Sequence, residues 1–546
     1  MSRTQCSCPL RIVACAALGA ALAFAQCACA ADQSVGVVAF ANSGAAAAQK
    51  DFLTALALLH NFQYPEAAEA FKRAEAADPK FAMAFWGEAM SYNHAVWAQQ
   101  DLAAARAALA RLGPTPEARA VNAQTPREKA YLHAVEILYG DGEKFDRDRR
   151  YALAMETLHS TYPDDVDGTC FYALALLGTS HAGRDVPTYM RAAALMEAAF
   201  EQYPRHPGAA HYLIHSVDDS VHAPLGLRAA LAYSMIAPDS PHALHMTSHI
   251  FLALGMWKET VEANEATVRL INQRFQAPNK NAPVPGCGHL WTWLSYGYLQ
   301  QGRFTDARRM VERCGEELRS RPQTATGPDL LDPDATSTGS YSAMRTRYLV
   351  DSGDWSSAVA TTTFDPTGVI VAEFSRDFAD AYRAVHTGAT EAAIAAVNRA
   401  KHSSERIRAA AVDAGIPDEH PLRQVATIEQ DELAGLLLLR QGDTDGAIIR
   451  LSKAAAAEKA MPMEFGPPSA DKPANELLGE VLLELGRAQE ARTAFDVAQV
   501  MAPGRGQSLI GLAKCARALH DPELAEIVEA RLANVGLRAS LDANRK

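Results

Sequence analysis

Five histidines of this chain recur at one fixed interval. His181, His215 and His249 are spaced by 34 and 34 residues (215 − 181 and 249 − 215), and His211 and His245 are also 34 apart (245 − 211). Thirty-four residues is the length of one helix-turn-helix unit in a stacked solenoid, so equal offsets place these side chains at equivalent points of neighbouring helices. The spacing therefore predicts a repeating helical array in which these imidazoles converge.

Helical periodicity runs through almost the whole chain, and no run of alternating polar and apolar residues predicts a strand. Turn signals recur between pairs of helices, and the clearest contain Gly255, Gly302, Gly353, Gly442 and Gly486. Apolar residues make up 48% of the chain and aromatic residues 7%, a composition suited to closely packed helices. These observations predict an all-α protein.

Small residues, aromatics and prolines stand at fixed spacings around these turns. Segment 48–81 carries Tyr64, Ala67, Phe71, Ala74 and Pro79, and segment 288–321 carries Trp291, Leu294, Tyr298, Gly302, Phe304 and Ala307. The pattern resembles the tetratricopeptide repeat (TPR) family. The resemblance implies a TPR-like helical-hairpin solenoid wound as a right-handed superhelix, with irregular insertions at 98–150, 321–340 and 403–425. It says almost nothing about function.

The first 30 residues have the features of a secretory signal peptide. Arg3 and Arg11 precede an apolar run over 12–25 that is too short to span a bilayer, and residues 28–30 offer a small-residue cleavage pattern. Residues 24–26 match a lipidation site poorly, so a lipoprotein is disfavoured. We expect a periplasmic or secreted protein with no membrane-spanning segment after signal removal, an exported histidine-rich bacterial member of the TPR family.

Segment 321–340 is rich in turn-forming residues and is the candidate linker or flap. It separates a predicted N-terminal TPR-like array at 31–320, which carries the histidines, from a predicted C-terminal array at 341–546. Segment 461–468 (Met-Pro-Met-Glu-Phe-Gly-Pro-Pro) either folds over the groove or joins two repeats. We favour the interpretation that it joins two repeats.

Charge and cysteine content narrow the classes of partner and the compartment. The net charge of −12 is spread along the helices without a basic block, which argues against nucleic acid as a partner. Four cysteines follow the signal peptide: Cys170, Cys287, Cys314 and Cys515. A disulfide between Cys287 and Cys314 is one option, but four cysteines allow three complete pairings and the sequence does not choose among them.

Nine of the 17 histidines fall on one stripe of the first helix of each repeat, because steps of three and four residues keep side chains on one face. In TPR proteins this stripe lines the groove that binds ligands. The predicted metal ligands are His181, His211, His215, His245, His249 and His289. Groove residues expected to orient those ligands or to touch a substrate are Asp185, Asp218, Asp219, His242, Tyr296, His60 and His94.

Helical spacing makes the metal hypothesis concrete. His211 with His215, and His245 with His249, are i,i+4 pairs that can each chelate from one helix, and six imidazoles suffice for two metals with three ligands each. An all-imidazole set in an exported protein favours copper over zinc or iron. The ligand type, though not the sequence, is similar to the dicopper oxygen-binding centres of tyrosinase-like proteins. His245-Met-Thr-Ser-His249 lacks the glutamate of a zinc-peptidase motif.

Two main functions follow from these features. The first is a metalloprotein, in the sharper form a metal-dependent oxidoreductase acting on a small organic substrate, for which the sequence assigns no catalytic residue. The second is a TPR interaction scaffold that holds a protein or peptide partner in the groove without metal. Metal storage or delivery is a third and weaker option.

Overall fold

The computed structural model describes residues 33–279, 284–320, 331, 333–366, 368–418 and 420–537. The first part of this chain forms helices α1 (Gln49–His60), α2 (Tyr64–Ala77), α3 (Ala82–Met90), α4 (Leu102–Leu112), α5 (Pro116–Ala120), α6 (Pro126–Leu138), α7 (Lys144–Thr161), α8 (Val166–Leu177), α9 (Val186–Gln202), α10 (Pro207–Val217), α11 (Leu227–Ile236), α12 (Pro241–Ala253) and α13 (Trp257–Gln276).

The second part forms helices α14 (His289–Gln300), α15 (Phe304–Ser320), α16 (Ser337–Ser352), α17 (Ala358–Thr361), α18 (Ile370–Thr387), α19 (Thr390–Asp413), α20 (Pro421–Arg440), α21 (Thr444–Ala460), α22 (Ala474–Glu484), α23 (Ala488–Met501), α24 (Gly506–Ala518) and α25 (Pro522–Asn534). Strands β1 (Asn93–His94) and β2 (Gln99–Gln100) form one short antiparallel pair, and 3-10 turns occur at Gln33–Val35, Ala46–Ala48, Ala95–Trp97 and Ala223–Gly226. Consecutive helices pack against each other along the chain. The predicted all-α, helical-hairpin architecture is confirmed.

The turns between helices lie where the sequence predicts them. Gly255, Gly302, Gly353, Gly442 and Gly486 all have φ between 66° and 88° and directly follow or separate helices. This left-handed backbone region is open to glycine at little cost and closes a helix by turning its last carbonyls away from the axis. The five glycines therefore end helices for a local reason that the sequence displays.

Small residues set the close approach of paired helices. Gly479 and Gly511 both lie against the ring of Phe495, and a Cβ at Gly511 would stand 2.3 Å from that ring. Helix starts carry side-chain caps, such as the capping box of Thr125 with Glu128 before α6. The glycines that lie against Phe495 are small residues at a helix contact, as the TPR resemblance implies.

The C-terminal helices return to pack on the end of the histidine-bearing helices. Trp257 and Trp293 share one apolar cluster with Phe495 and Leu512, and the indole N–H of Trp257 donates to the carbonyl of Gly504 at 2.7 Å. Beside them the buried guanidinium of Arg505 binds Asp351, Glu476 and the hydroxyl of Tyr296. Phe465 of segment 461–468 packs against the same apolar cluster.

Some predicted boundaries fall outside the described residues. The signal peptide at 1–30 does, and so do 321–330 and 332 of the predicted linker, whereas 337–340 begin α16. Export and the division into arrays at 31–320 and 341–546 stay predictions. No helix in the described part of the chain has both the length and the hydrophobicity needed to cross a bilayer.

Cys287 and Cys314 form a disulfide, while Cys170 and Cys515 are free and buried. The disulfide ties the segment before α14 to α15. It also occupies the Cys287 sulfur, which lies two residues before His289 in the sequence. The three pairings that the sequence allowed are thus reduced to one bridge and two separate thiols.

Candidate metal centre

Two histidine triads lie side by side on α10, α12 and α14. The first triad consists of His211 and His215 of α10 with His242 of the first turn of α12, and one ring nitrogen from each lies within 4.8 Å of the others. The ring centroids of His211 and His215 are 4.9 Å apart, and that of His242 is 4.9 Å from His211. The triad thus consists of an i,i+4 pair on α10 and a third histidine from the start of α12.

The second triad repeats this arrangement one unit further along. It consists of His245 and His249 of α12 with His289, the first residue of α14, again with ligand atoms within 4.8 Å of one another. The ring centroid of His245 lies 5.0 Å from both His249 and His289. The two triads touch, because His215 and His249 have ring centroids only 5.5 Å apart.

Hydrogen bonds at Nδ1 fix the orientation of three of these rings. The Nδ1–H of His211 donates to the backbone carbonyl of His60 at 2.6 Å, and that of His289 donates to Asp334 Oδ2 at 2.7 Å. His245 donates to Asn264 Oδ1 at 2.8 Å, and the Asn264 amide nitrogen donates to a helix carbonyl, so only its oxygen faces the ring. Acceptors of this kind hold the proton on Nδ1 and leave the Nε2 lone pair free for a metal.

Asp218 serves both triads. Its Oδ2 accepts from His249 Nδ1 at 2.8 Å and lies 3.5 Å from His215 Nδ1, while its Oδ1 is bound by the Arg184 guanidinium. Burial by itself would raise the pKa of Asp218, but the charge of Arg184 and the hydrogen bonds from both histidines hold that pKa well below its usual range. A fully buried carboxylate therefore stays ionised and orients one imidazole of each triad.

The second triad places two lone pairs face to face. His245 and His249 both carry the proton on Nδ1, and their Nε2 atoms are 3.3 Å apart. Burial lowers the pKa of His245 well below its ordinary value and that of His249 to about 4, so both rings are neutral at pH 7. Two imidazole nitrogens bound to one tetrahedral ion at about 2.0–2.1 Å lie about 3.3–3.4 Å apart. The 3.3 Å separation of the His245 and His249 nitrogens falls in that range.

The first triad has a matching feature. His211 and His242 bring their Nε2 atoms to 3.1 Å, and burial lowers the pKa of both rings well below the ordinary value. The Nε2 of His215 is buried and has no hydrogen-bond partner among the described residues. An unsatisfied buried nitrogen is costly unless a ligand binds it.

Aromatic rings enclose both triads. Phe62 packs on the first, 4.3 Å between centroids from His211, and Trp293 packs on the second, 4.3 Å from His249. Phe465 stacks on His249 at 5.4 Å. Segment 461–468 therefore covers the site as well as joining α21 to α22, and the preference for a mere joint is corrected. Its Gly466 fits because a Cβ there would stand 2.7 Å from Trp293.

The centre is open on one side. The side chain of His289 is 33% exposed and His242 is partly exposed, whereas the other four imidazoles are buried. Trp97, which stands within 6.5 Å of His215 and His242, also lines a wide groove that contains His94 and Pro333. Trp97 thus lies between the first triad and this groove.

The structure does not bring His181, predicted as a ligand, to either triad. Helix α8 ends at Leu177, and the chain turns so that His181 stacks on Phe145 at 3.8 Å between ring centroids and donates from Nε2 to Asp148 Oδ2 at 3.0 Å. The 34-residue offset predicted that His181 lies on a helix equivalent to those of His215 and His249. Helix α8 ends four residues before His181, so this prediction was wrong. His242, predicted only as a groove residue, lies in the position that His181 was expected to fill.

Most of the other predicted groove residues have structural partners away from the triads. Asp185 is exposed and caps α9 by accepting from the backbone of Thr188. Asp219 binds His222 and Arg184. The Tyr296 hydroxyl accepts from Arg505, and His94 stacks on Tyr64 at 4.0 Å. Of that set, His242 is itself a member of the first triad. Asp218 contacts the triads through its carboxylate, and His60 contacts His211 through its backbone carbonyl.

A third buried group, His60 with Asp167 and His206, lies behind the first triad. Both histidines place Nε2 on Asp167 Oδ1, at 2.9 and 3.2 Å. Because His206 Nδ1 accepts from the backbone N–H of Ala209, its proton is on Nε2 and it donates to the carboxylate. This group is a hydrogen-bonded support for α1 and α10, with the pKa of His60 lowered by burial to about 4.

Sequence reasoning missed Asn264, Asp334, Arg184 and Phe465. They contact the triads or Asp218 from four other places in the chain, α13, the segment before α16, the turn before α9 and the loop after α21. Arg184 precedes its partner Asp218 by 34 residues (218 − 184), whereas Asn264, Asp334 and Phe465 do not follow the period of the histidines. Segments 321–340 and 461–468, which contain Asp334 and Phe465, stand out in the sequence, but nothing local shows that these two side chains face an imidazole. The same holds for Asn264, because an ordinary helix asparagine has no distinguishing neighbours.

Comparisons with known proteins concern the fold alone. No protein-family model and no curated protein matches this sequence. Human IFIT1, solved as a dimer with m7Gppp-AAAA, aligns with a TM-score of 0.33 and 13% identity over 88% of this chain and 92% of that chain. Yeast Tom70 gives 0.30 and 11% over 88% and 92%, and the P58(IPK) TPR domain gives 0.21 and 13% over 87% and 99%. These values carry no argument about the site.

Proposed function

We propose that this TPR-like solenoid is a metalloprotein whose two histidine triads bind two transition-metal ions, with copper favoured, as the centre of an oxidoreductase acting on a small organic substrate. The observation that carries the proposal is the pair of neutral imidazoles of His245 and His249, whose Nε2 atoms stand 3.3 Å apart with both protons held on Nδ1. A cation between them turns a repulsive contact into two bonds.

The repetition of the motif supports two ions rather than one. Each triad has the same construction, two histidines one turn apart on a helix and a third from the first turn of the next helix of the stripe. Six imidazoles, with carboxylate, amide and carbonyl acceptors behind them, form an all-nitrogen set that suits copper, zinc or iron. The disulfide removes the nearest thiol from the ligand set.

An oxidoreductase is the form of the proposal that best fits the surroundings. The triads lie in contact, aromatic rings exclude water from most of the site, and one side remains open at His289. Two adjacent metals on neutral ligands can exchange electrons with one small molecule, which loses them while O₂ takes them up. Storage or delivery of metal would need no such enclosed, supported pair.

Metal analysis of protein purified without a histidine tag tests the centre. We expect about two equivalents of copper after reconstitution, with His211→Ala and His245→Ala each retaining about one and the double variant none. The exposed His133 of α6 supplies the control, since His133→Ala should keep both. Folded protein that takes up no copper, zinc or iron at micromolar concentration would overturn the proposal and leave an interaction scaffold.

Oxygen uptake tests the reaction. Copper-loaded protein should consume O₂ in the presence of small phenols or related reductants, and His245→Ala should lose at least tenfold of that rate while His133→Ala retains it. Two bound metals without any substrate-dependent O₂ uptake would limit the function to metal binding.

A further inference from the structure

A separate cavity of about 570 Å³ lies between the histidine helices and the returning C-terminal helices. Segment 461–468 forms one wall of it, through Met463, Glu464 and Pro467 among others, and Trp257 and Met501 form the opposite side. A volume in this range is typical of pockets that hold a single small molecule. Exposed Val221 and Val500 stand at its mouth.

The walls favour a flat apolar ligand. Methionine side chains adapt their shape and make favourable contacts with aromatic rings, and Met461, Met463 and Met501 all line the cavity beside Trp257. Pro462, Pro467 and Pro468 also line the cavity, and their fixed φ angles stiffen the backbone of this wall. The cavity thus combines adaptable side chains with a stiff frame.

The charges around the cavity disfavour an anion. The one buried cation on its wall, Arg184, already donates to the carboxylates of Asp218 and Asp219. Its distance to Asp219 Oδ2 is 3.1 Å. The lining carries two basic residues, Arg184 and Lys459, against three acidic ones, Asp218, Glu458 and Glu464, so it has no surplus of basic residues. Yet the Nε of Arg184 is buried without a hydrogen-bond partner among the described residues. It can donate one hydrogen bond to a neutral oxygen.

We propose that this cavity binds an uncharged aromatic molecule that carries one hydrogen-bond acceptor, with the ring between Met463, Met501 and Trp257 and the acceptor at Arg184. The binding itself does not depend on metal. Its assignment as the substrate class of the histidine centre rests on the proposed function. The link is Asp218, which lines the cavity and also holds His249.

Two fluorescent probes with the same ring system test whether the cavity prefers an uncharged ligand to an anion. N-phenyl-1-naphthylamine is uncharged, and 8-anilinonaphthalene-1-sulfonate adds one sulfonate. The uncharged probe should bind the full chain with one saturable site and at least tenfold more tightly than the sulfonate. In competition, 2-naphthol should displace it at a several-fold lower concentration than naphthalene, because only 2-naphthol offers an oxygen to Arg184.

Three matched tryptophan variants locate the site. Val221→Trp and Val500→Trp, at residues 52% and 64% exposed at the mouth, should each weaken the uncharged probe at least tenfold, while Val121→Trp, at a residue 77% exposed elsewhere, should not. Probe binding unchanged in both mouth variants, or equal binding of the sulfonate, overturns the proposal. The same titration in the His211→Ala, His245→Ala double variant separates the two ideas, because the cavity should keep its probe there even if no metal ever binds.

Discussion

Replacing Asp218 with asparagine should weaken both metal sites at once, although the residue ligates neither. Its carboxylate contacts one histidine of each triad: Oδ2 accepts from His249 Nδ1 at 2.8 Å and lies 3.5 Å from His215 Nδ1. Loss of such a supporting acceptor typically costs about 10–100-fold in metal affinity, which is about 1.4–2.7 kcal/mol. Since 3.5 Å is at the limit of a hydrogen bond, we expect nearly 100-fold at the second triad and nearer 10-fold at the first.

Single-site backgrounds make this measurable. His211→Ala leaves only the second triad and His245→Ala only the first, so competition of each with a chromophoric chelator reports one affinity. Zinc serves for the first titrations because it keeps one oxidation state. Asp218→Asn should lower the remaining affinity in both backgrounds, whereas Asp334→Asn should lower it only in His211→Ala, because Asp334 supports His289 alone.

The fold of the variant is checked in the same experiment. Arg184 keeps Asp219 as a partner after the substitution, so helical circular dichroism should be preserved. An Asp218→Asn protein that is folded and loses affinity in only one background, or in neither, would refute the assignment of this carboxylate to both triads. Equal losses from Asp334→Asn in both backgrounds would refute the separation of the triads.

Three further results are expected. The pKa values of His60 and His249 lie near 4 in the fold and near 6.5 in the unfolded chain, so metal-free protein should lose about 2 kcal/mol of unfolding free energy per histidine between pH 7 and pH 5. Urea titrations at each pH measure this loss, and an unfolding free energy that does not change with pH would contradict it. The Cys287→Ser, Cys314→Ser variant should lose about 3–4 kcal/mol of unfolding free energy, because the bridge spans 27 residues. It should bind metal more weakly only in the His211→Ala background. In denaturant titrations, Gly466→Ala should destabilise the protein by about 1–3 kcal/mol more than Gly442→Ala. Both glycines have positive φ, but only Gly466 lies against a ring, that of Trp293. Equal destabilisation by the two substitutions would contradict the close contact with Trp293.

The sign of the acid effect follows from which state binds protons. Below pH 6.5 the unfolded chain protonates its histidines while the buried rings stay neutral, so protons stabilise the unfolded state. Stability from this source is complete above pH 6.5 and is lost as the pH falls toward 4. Bound metal should shift the loss at His249 to lower pH, because a ligated nitrogen cannot take a proton.

The helical pattern and the two i,i+4 pairs could be read from the sequence because each depends on residues a few positions apart. Gly255 and Gly302 end helices through their own backbone freedom, and His211 faces the same way as His215 because one helical turn separates them. The 34-residue period also placed His215 and His249 on adjacent helices, where their rings meet.

Only the tertiary structure decided which imidazoles complete the triads and what supports them. His181 has the right offset but follows the end of α8, whereas His242 reaches His211 from the first turn of the next helix. Asp334 and Phe465 reach the second triad from segments whose positions depend on how α14 and the C-terminal helices pack. A periodic pattern fixes directions within a helix, but contacts between distant segments are set by the packing of whole surfaces, which no local spacing encodes.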